Sequence, residues 1–453
     1  MTTKPQFITG CFSCLCGLAL AAVMFASAAA ADERADEPAS EPVGESAGTP
    51  TVAELAAQLS APETAARQQA VEALAALGEA ARPAVPDLLR AIRDDDIDVR
   101  AVAMETLGRL AAEPDTMIPL LAGKLDDATA TRRGPIWAVA GFSLGHYGPA
   151  ALPHVVPALK SPSSATCRAA MLTIDGLGAD ADEMVPDLIA ILQRDDPETR
   201  IYAINALRAI GPASKDAAQE LVKHLTSDDF HTQYWACRAL GAIGPEARAT
   251  AGDLVVCLQS GVASVRRNAA AALGNIGPGI GQAATDALID ALSDRSQPVR
   301  QNAVVALGQL QPLAAKAVPV LEKLLQEPSK FAPRAPAAKT LWQLAPQSPV
   351  PVEALLRDLE ENDEPWVAAR MFGEIKATDE SVQRLVKLLD SANVWTKQFA
   401  AVALLETGAE TQRARAALEE LARSEDEETR ESAAASLKRL QAKSAESRNG
   451  PTQ

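Results

Sequence analysis

Aromatic side chains are scarce in this 453-residue chain, at 4% with eight Phe, five Trp and three Tyr. β-Sandwiches and barrels draw on β-branched and aromatic residues, so that shortage, beside abundant alanine, argues for closely packed helices instead. Positive charge is also in deficit: 43 Lys and Arg face 59 Asp and Glu, for a net charge of −16. That balance excludes non-specific gathering of nucleic-acid phosphates, and any anion must be met by a local basic patch. There are only six cysteines and four histidines. Cys11, Cys14 and Cys16 fall in the N-terminal leader, which leaves Cys167, Cys237 and Cys257, an odd and sparse set that makes no disulfide framework.

Catalytic patterns are missing as well. The chain has no Gly-rich phosphate loop, His-Glu-x-x-His, Gly-x-Ser-x-Gly or Cys-x-x-Cys-His. His224, His231, Cys237 and Cys257 fall in neighbouring helices, but their spacing matches no ligand pattern, so neither a metal nor a cofactor is expected.

Long apolar runs are confined to the first 31 residues. Lys4, the stretch Ile8 to Phe25 and the small residues Ala26 to Ala31 read as a secretory signal peptide, 1–31, which places the protein in the periplasm or outside the cell. An uncleaved anchor is the rival, since the run is about long enough to span a bilayer. Ile8-Thr9-Gly10-Cys11 resembles a bacterial lipobox but lacks the apolar region that should precede it. No later segment could span a membrane. Residues 32–50 (DERADEPASEPVGESAGTP) carry six acids and three prolines and read as a disordered linker. Thr51-Val52-Ala53-Glu54 matches a capping box that opens the first helix. Residues 442–453 read as a frayed tail.

Between them, over 51–441, one pattern recurs. An Arg or polar residue at i is followed by Ala at i+3, a small residue at i+6, Leu at i+7, Ile or Leu at i+10 and often Gly at i+11. The register falls at Arg67, Arg100, Trp137, Cys167, Arg200, Gln233, Arg266, Arg300, Arg334, Pro365, Lys397 and Arg430, with a mean step of 33 residues and a longest step of 37. Those offsets make one apolar stripe on an α-helix. Gly-Pro follows repeatedly, as at Gly211-Pro212 and Gly244-Pro245, and stops it. A shorter helix precedes each copy, often opening with an apolar residue and Pro, as in Val85-Pro86 and Val185-Pro186, and acidic turns such as Asp94-Asp95-Asp96 join the two. Each unit is a helical hairpin whose apolar face only its neighbours can cover.

The sequence of acidic turn, Val-Arg, Ala, Ala-Leu and Ile-Gly-Pro resembles HEAT repeats, specifically the short type grouped as phycobilisome-lyase HEAT-like repeats. The resemblance implies an all-α, right-handed α-α superhelix of about twelve two-helix repeats, an armadillo-type α-solenoid. It also implies that Arg100, Arg200, Arg266, Arg300 and Arg430 pair with turn acids as structural rungs, and that the far side of each second helix lines a concave surface. Its functional range covers scaffolds and adaptors and, as the alternative, bilin lyases or chromophore-handling modules.

On a helical wheel the far side comprises i+1, i+5 and i+8, with i+2 and i+9 at the margin. Units four to eight collect large side chains there, and Tyr202, Arg208, Tyr234, Trp235, Arg238, Arg267 and Asn268 form the expected partner-binding set. For Tyr202 and Trp235 the i+2 offset equally allows packing against the next repeat. Trp137, Trp342, Trp366 and Trp395 occupy differing offsets and read as separate packing sites. The expected protein is therefore a non-enzymatic monomeric scaffold. Its expected ligand is a protein partner presenting an acidic or aromatic segment, not nucleic acid.

Overall fold

A computed structural model of the protein describes residues 50–311, 313–326, 334–361, 365–375 and 377–448, with the side chains of 440–448 excepted. The expected leader and all but the last residue of the expected linker lie outside the described residues. The chain divides between Ala217 and Ala218 into two compact units.

The first unit holds five helical hairpins: α1 (Val52–Gln58) with α2 (Thr64–Ala76), α3 (Val85–Ala91) with α4 (Ile97–Arg109), α5 (Pro114–Ala122) with α6 (Ile136–Gly145), α7 (Leu152–Leu159) with α8 (Ser164–Leu177), and α9 (Val185–Ile191) with α10 (Pro197–Ile210). The second holds seven: α11 (Ala218–His224) with α12 (Phe230–Ile243), α13 (Ala251–Cys257) with α14 (Ala263–Ile276), α15 (Gly281–Ala291) with α16 (Gln297–Gln309), α17 (Val318–Gln326) with α18 (Arg334–Leu344), α19 (Val350–Glu361) with α20 (Pro365–Met371), α21 (Asp379–Leu388) with α22 (Val394–Thr407), and α23 (Thr411–Leu421) with α24 (Glu427–Arg448). Every register position read from the sequence falls at the start or in the first turn of a second helix. The helix α24 runs to Arg448, seven residues past the end expected at Gln441.

The turns follow the chemistry of their residues. Thr51 and Glu54 form the expected capping box, with the Thr51 N–H donating to Glu54 Oε2 at 2.7 Å. Gly211 and Gly244 stop α10 and α12 at φ 68° and 69°, a region that costs other residues a clash at Cβ. The turn acids serve as helix N-caps. Asp96 accepts from the N–H groups of Asp98 and Val99, and Asp229 from those of His231 and Thr232. Burial opposes ionisation of Asp196, but hydrogen bonds from Thr199, Ser164 and Arg168 outweigh it and hold that carboxyl well below the ordinary range.

The repeated arginines behave differently from the expectation. What Arg100, Arg200, Arg266, Arg300 and Arg430 share is a bond to the main-chain carbonyl six residues upstream, at 2.6 to 3.2 Å. Arg67 and Gln233 repeat it. Those carbonyls lie just past the C-terminus of the preceding first helix, where orphan acceptors and the helix dipole favour a cation. A carboxylate bridge to the next hairpin is added by Arg67 to Asp94 and by Arg266 to Asp294, each at 2.7 Å. The rung is thus first a cap within its own hairpin.

Second helices pack side by side through small residues. A methyl on Gly141 would lie 2.4 Å from the Ala169 carbonyl oxygen, and one on Gly108 would lie 2.7 Å from Ser143 Cβ. In the second unit a methyl on Gly274 would sit 2.8 Å from Ala306 Cα. This corrects the helical wheel, because Ala101 and Gly108, at the far-side offsets i+1 and i+8, are buried in the seam. The same seam explains the composition: there is room for Ala and Gly and almost none for a ring. Where hairpins four and five put Asp175 and Arg208 at i+8, the two form an ion pair at 2.9 Å instead.

Candidate functional site

The face carried by the second helices holds the candidate residues, and the two units present it separately. In the first unit, Tyr202 is buried at 7% exposure, edge-to-face with Trp137 at 6.3 Å. Arg208 is held by Asp175 and by the Asn205 carbonyl oxygen of its side chain at 2.7 Å. Both side chains are thus engaged within the first unit. The marginal i+2 offset turned the Tyr202 ring toward its own unit, and a neighbouring carboxylate claimed the guanidinium.

The 37-residue step before Trp137 has a structural cause. Its extra residues form a two-stranded hairpin, β1 (Ala130–Thr131) with β2 (Gly134–Pro135), that reaches back over α4 and α2. The Arg132 N–H donates to Asp98 Oδ1 at 2.8 Å, and Arg133 bridges Glu105 at 3.0 Å and Glu72 on the first hairpin. Beneath this strap lies a cleft of about 420 Å³, with Val71 and Val102 as floor and Gln68, Gln69 and Arg132 at its rim. Glu105, at the far-side offset i+5 of its repeat, anchors the strap. The long step was the only signal.

In the second unit, Tyr234 and Trp235 are 6% and 7% exposed. Their rings meet edge to face at 5.2 Å, and the Arg238 guanidinium covers both, 5.6 Å from the Tyr234 centroid and 5.1 Å from that of Trp235. Arg238 also donates to the Tyr234 hydroxyl at 3.0 Å. Asn268 is buried and donates to the Ser264 carbonyl of its own helix. Tyr234, Trp235 and Asn268 are thus largely covered within the second unit, and the two rings form a platform beneath an arginine. What remains at the surface is Arg238 and Arg267, both half-buried, and among the described residues neither has a carboxylate within ion-pair distance.

Cys237 and Cys257 are buried and meet through their thiols, and this contact together with burial raises Cys237 well above the ordinary thiol range. His231 lies against Phe230 at 4.0 Å. Among the described residues no group of three or more His, Cys, Asp and Glu is placed to hold a metal ion, and no helix is long and apolar enough to cross a membrane.

Among the described residues, three exposed hydrophobic rings escaped the sequence reading, Phe142 at 41%, Phe230 at 43% and Trp366. Trp366 was assigned to packing, yet it is 47% exposed on α20. Its offset, i+1, was the available signal, obscured because the Pro365 copy of the repeat is degenerate.

A HEAT-repeat family model matches residues 52–140, 185–252, 251–342 and 349–438. A search among curated proteins finds no match. Among solved structures, an engineered protein is similar at 28% identity and a TM-score of 0.36, covering 42% of this chain and 94% of its own. The complex of CpcE and CpcF of phycocyanin lyase from Nostoc sp. PCC7120 is similar at 23% identity and a TM-score of 0.35, over 57% of this chain and 94% of that one. Kap95p, from a structure with RanGDP, is similar at 15% identity and a TM-score of 0.48, over 86% of this chain and 60% of its own. The family matches fall on the helical hairpins described above and cover most of them, so the chain belongs to the HEAT-repeat family.

Proposed function

We propose that the protein is an exported, non-enzymatic scaffold that holds an acidic protein segment on the second-helix face of hairpins six and seven. The observation that carries the reading is the pair Arg238 and Arg267, two half-buried guanidiniums on neighbouring second helices with no carboxylate within ion-pair distance among the described residues, in a chain of net charge −16. Arg238 is also preorganised. The Tyr234 hydroxyl and two rings fix its plane, so less side-chain entropy is lost when a carboxylate docks.

The reading is checked with a fluorescein-labelled peptide of six glutamates and the full mature chain. Changing Arg238 and Arg267 together to Ala weakens binding by about tenfold or more, roughly 1.4 kcal/mol, while the melting temperature stays within a few degrees. Equal affinity in wild type and double variant would falsify the acidic-segment reading. Export rests on Lys4, the apolar stretch Ile8 to Phe25 and the alanine-rich site before Asp32. Edman sequencing of the protein from its native host then begins at or near Ala31 or Asp32, and a soluble cytosolic form retaining Met1 would overturn it.

A further inference from the structure

The second-helix face of hairpins ten and eleven gathers three rings in a chain that has few. Trp366 is 47% exposed at the second position of α20, and Trp395 and Phe399 on α22 stack at 6.2 Å with planes 19° apart. Trp366, Phe399 and Val402 form the apolar side of a shallow depression of about 60 Å³, whose other side includes Arg370, Glu406 and Arg439. Elsewhere the same register position is filled by Ala101 or Ala335, both buried, so the fold does not need a ring there. An indole left in water forgoes its burial free energy, and a ring beside a depression is the usual form of a binding anchor.

Charge indicates what would occupy it. Two guanidiniums against one carboxylate make this rim net positive, as at Arg238 and Arg267 and opposite to the chain as a whole. We infer that the depression takes a large apolar side chain of the same acidic segment that Arg238 and Arg267 hold, so the inference rests on the reading above. Packed helices lie about 8 to 10 Å apart, and four hairpin steps separate the two sites, or about 35 Å. Extended chain covers about 3.3 to 3.6 Å per residue, so the acids and the apolar anchor of the partner stand about ten residues apart.

Three labelled peptides test this on the full mature chain: six glutamates alone, six glutamates joined through ten Gly-Ser residues to Leu-Phe, and the same pair joined through three. The ten-residue peptide binds about tenfold or more tighter than glutamates alone, because the second contact becomes intramolecular, and the three-residue peptide shows no such gain. Trp366→Ala removes the gain and leaves the glutamate peptide unchanged. Trp366 is 47% exposed and absent from the buried core, so the variant folds, and Trp366→Gln gives the same loss. If Trp366→Ala keeps the full gain while the arginine dependence persists, the inference falls and the acidic-face reading stands. If no peptide depends on Arg238 and Arg267, the underlying reading falls first. If light scattering shows Trp366→Ala turning a dimer into a monomer with peptide affinity unmoved, the depression joins copies of this chain and the inference is overturned.

Discussion

Replacing Gly141 with alanine, the addition of one methyl group, destabilises the protein by about 2 kcal/mol. The new Cβ on α6 would stand 2.4 Å from the Ala169 carbonyl oxygen and 3.0 Å from its Cα, and these are main-chain atoms of α8 that no rotamer change can move. Forcing volume into a packed seam costs about 1 to 3 kcal/mol, occasionally more, and the better helix propensity of alanine returns only up to about 1. Gly252 on α13 is the control, because a methyl there meets nothing within 4 Å. Gly252→Ala is therefore neutral or stabilising by up to about 1 kcal/mol. Urea unfolding followed by circular dichroism measures both, and a Gly141→Ala midpoint at or above wild type would refute the tight seam between second helices.

The largest single-residue loss is expected at Asp358. Its side chain is 4% exposed, and it pairs at 2.7 Å with Arg334, which is 6% exposed and also lies 3.4 Å from Glu361. Removing one member of a buried pair leaves the other charge without its main partner in a medium that solvates it poorly, at a cost of about 3 to 5 kcal/mol. Asp358→Ala accordingly melts well below wild type. Changing both residues together, Arg334→Met with Asp358→Leu, recovers most of the loss, because an apolar pair of similar size needs no solvation. The solvent-exposed Arg82–Glu79 pair provides the contrast, as breaking it changes stability by about 0.5 kcal/mol or less. If Asp358→Ala behaves like that surface pair, the Arg334 environment is wetter than its burial indicates.

The hairpin count and register were legible because the information is local and repeated. An apolar stripe with period 3.6, a Gly-Pro stop and an acidic cap each act within one hairpin, and stacking repeats the same contact at every step. The arginine rungs were legible by position but not by partner, since a guanidinium in the first turn of the second helix finds the carbonyl six residues upstream, just past the first helix, before it finds a neighbour's acid. The candidate site was less legible. Tyr234 and Trp366 occupy the same offset, i+1, yet one is 6% exposed and the other 47%. No helical wheel separates them, because the difference lies in the groups around each ring: Trp235 and Arg238 close over Tyr234.

The sequence by itself determined the fold class, the twelve second helices, their stops and the supply of small residues that lets them approach. Those features depend on spacing along one chain, which the sequence states directly. Only the tertiary structure decided which side chains meet across repeats. It brought Arg133 back to Glu72, 61 residues away, put Gly108 into the seam against Ser143, sank the Tyr234 and Trp235 rings beneath Arg238, and left Trp366 at the surface. The physical reason is that burial at a repeat interface is set by the distance and rotation between neighbouring helices. Those quantities follow from the summed packing of both partners, and no single stretch of sequence carries them.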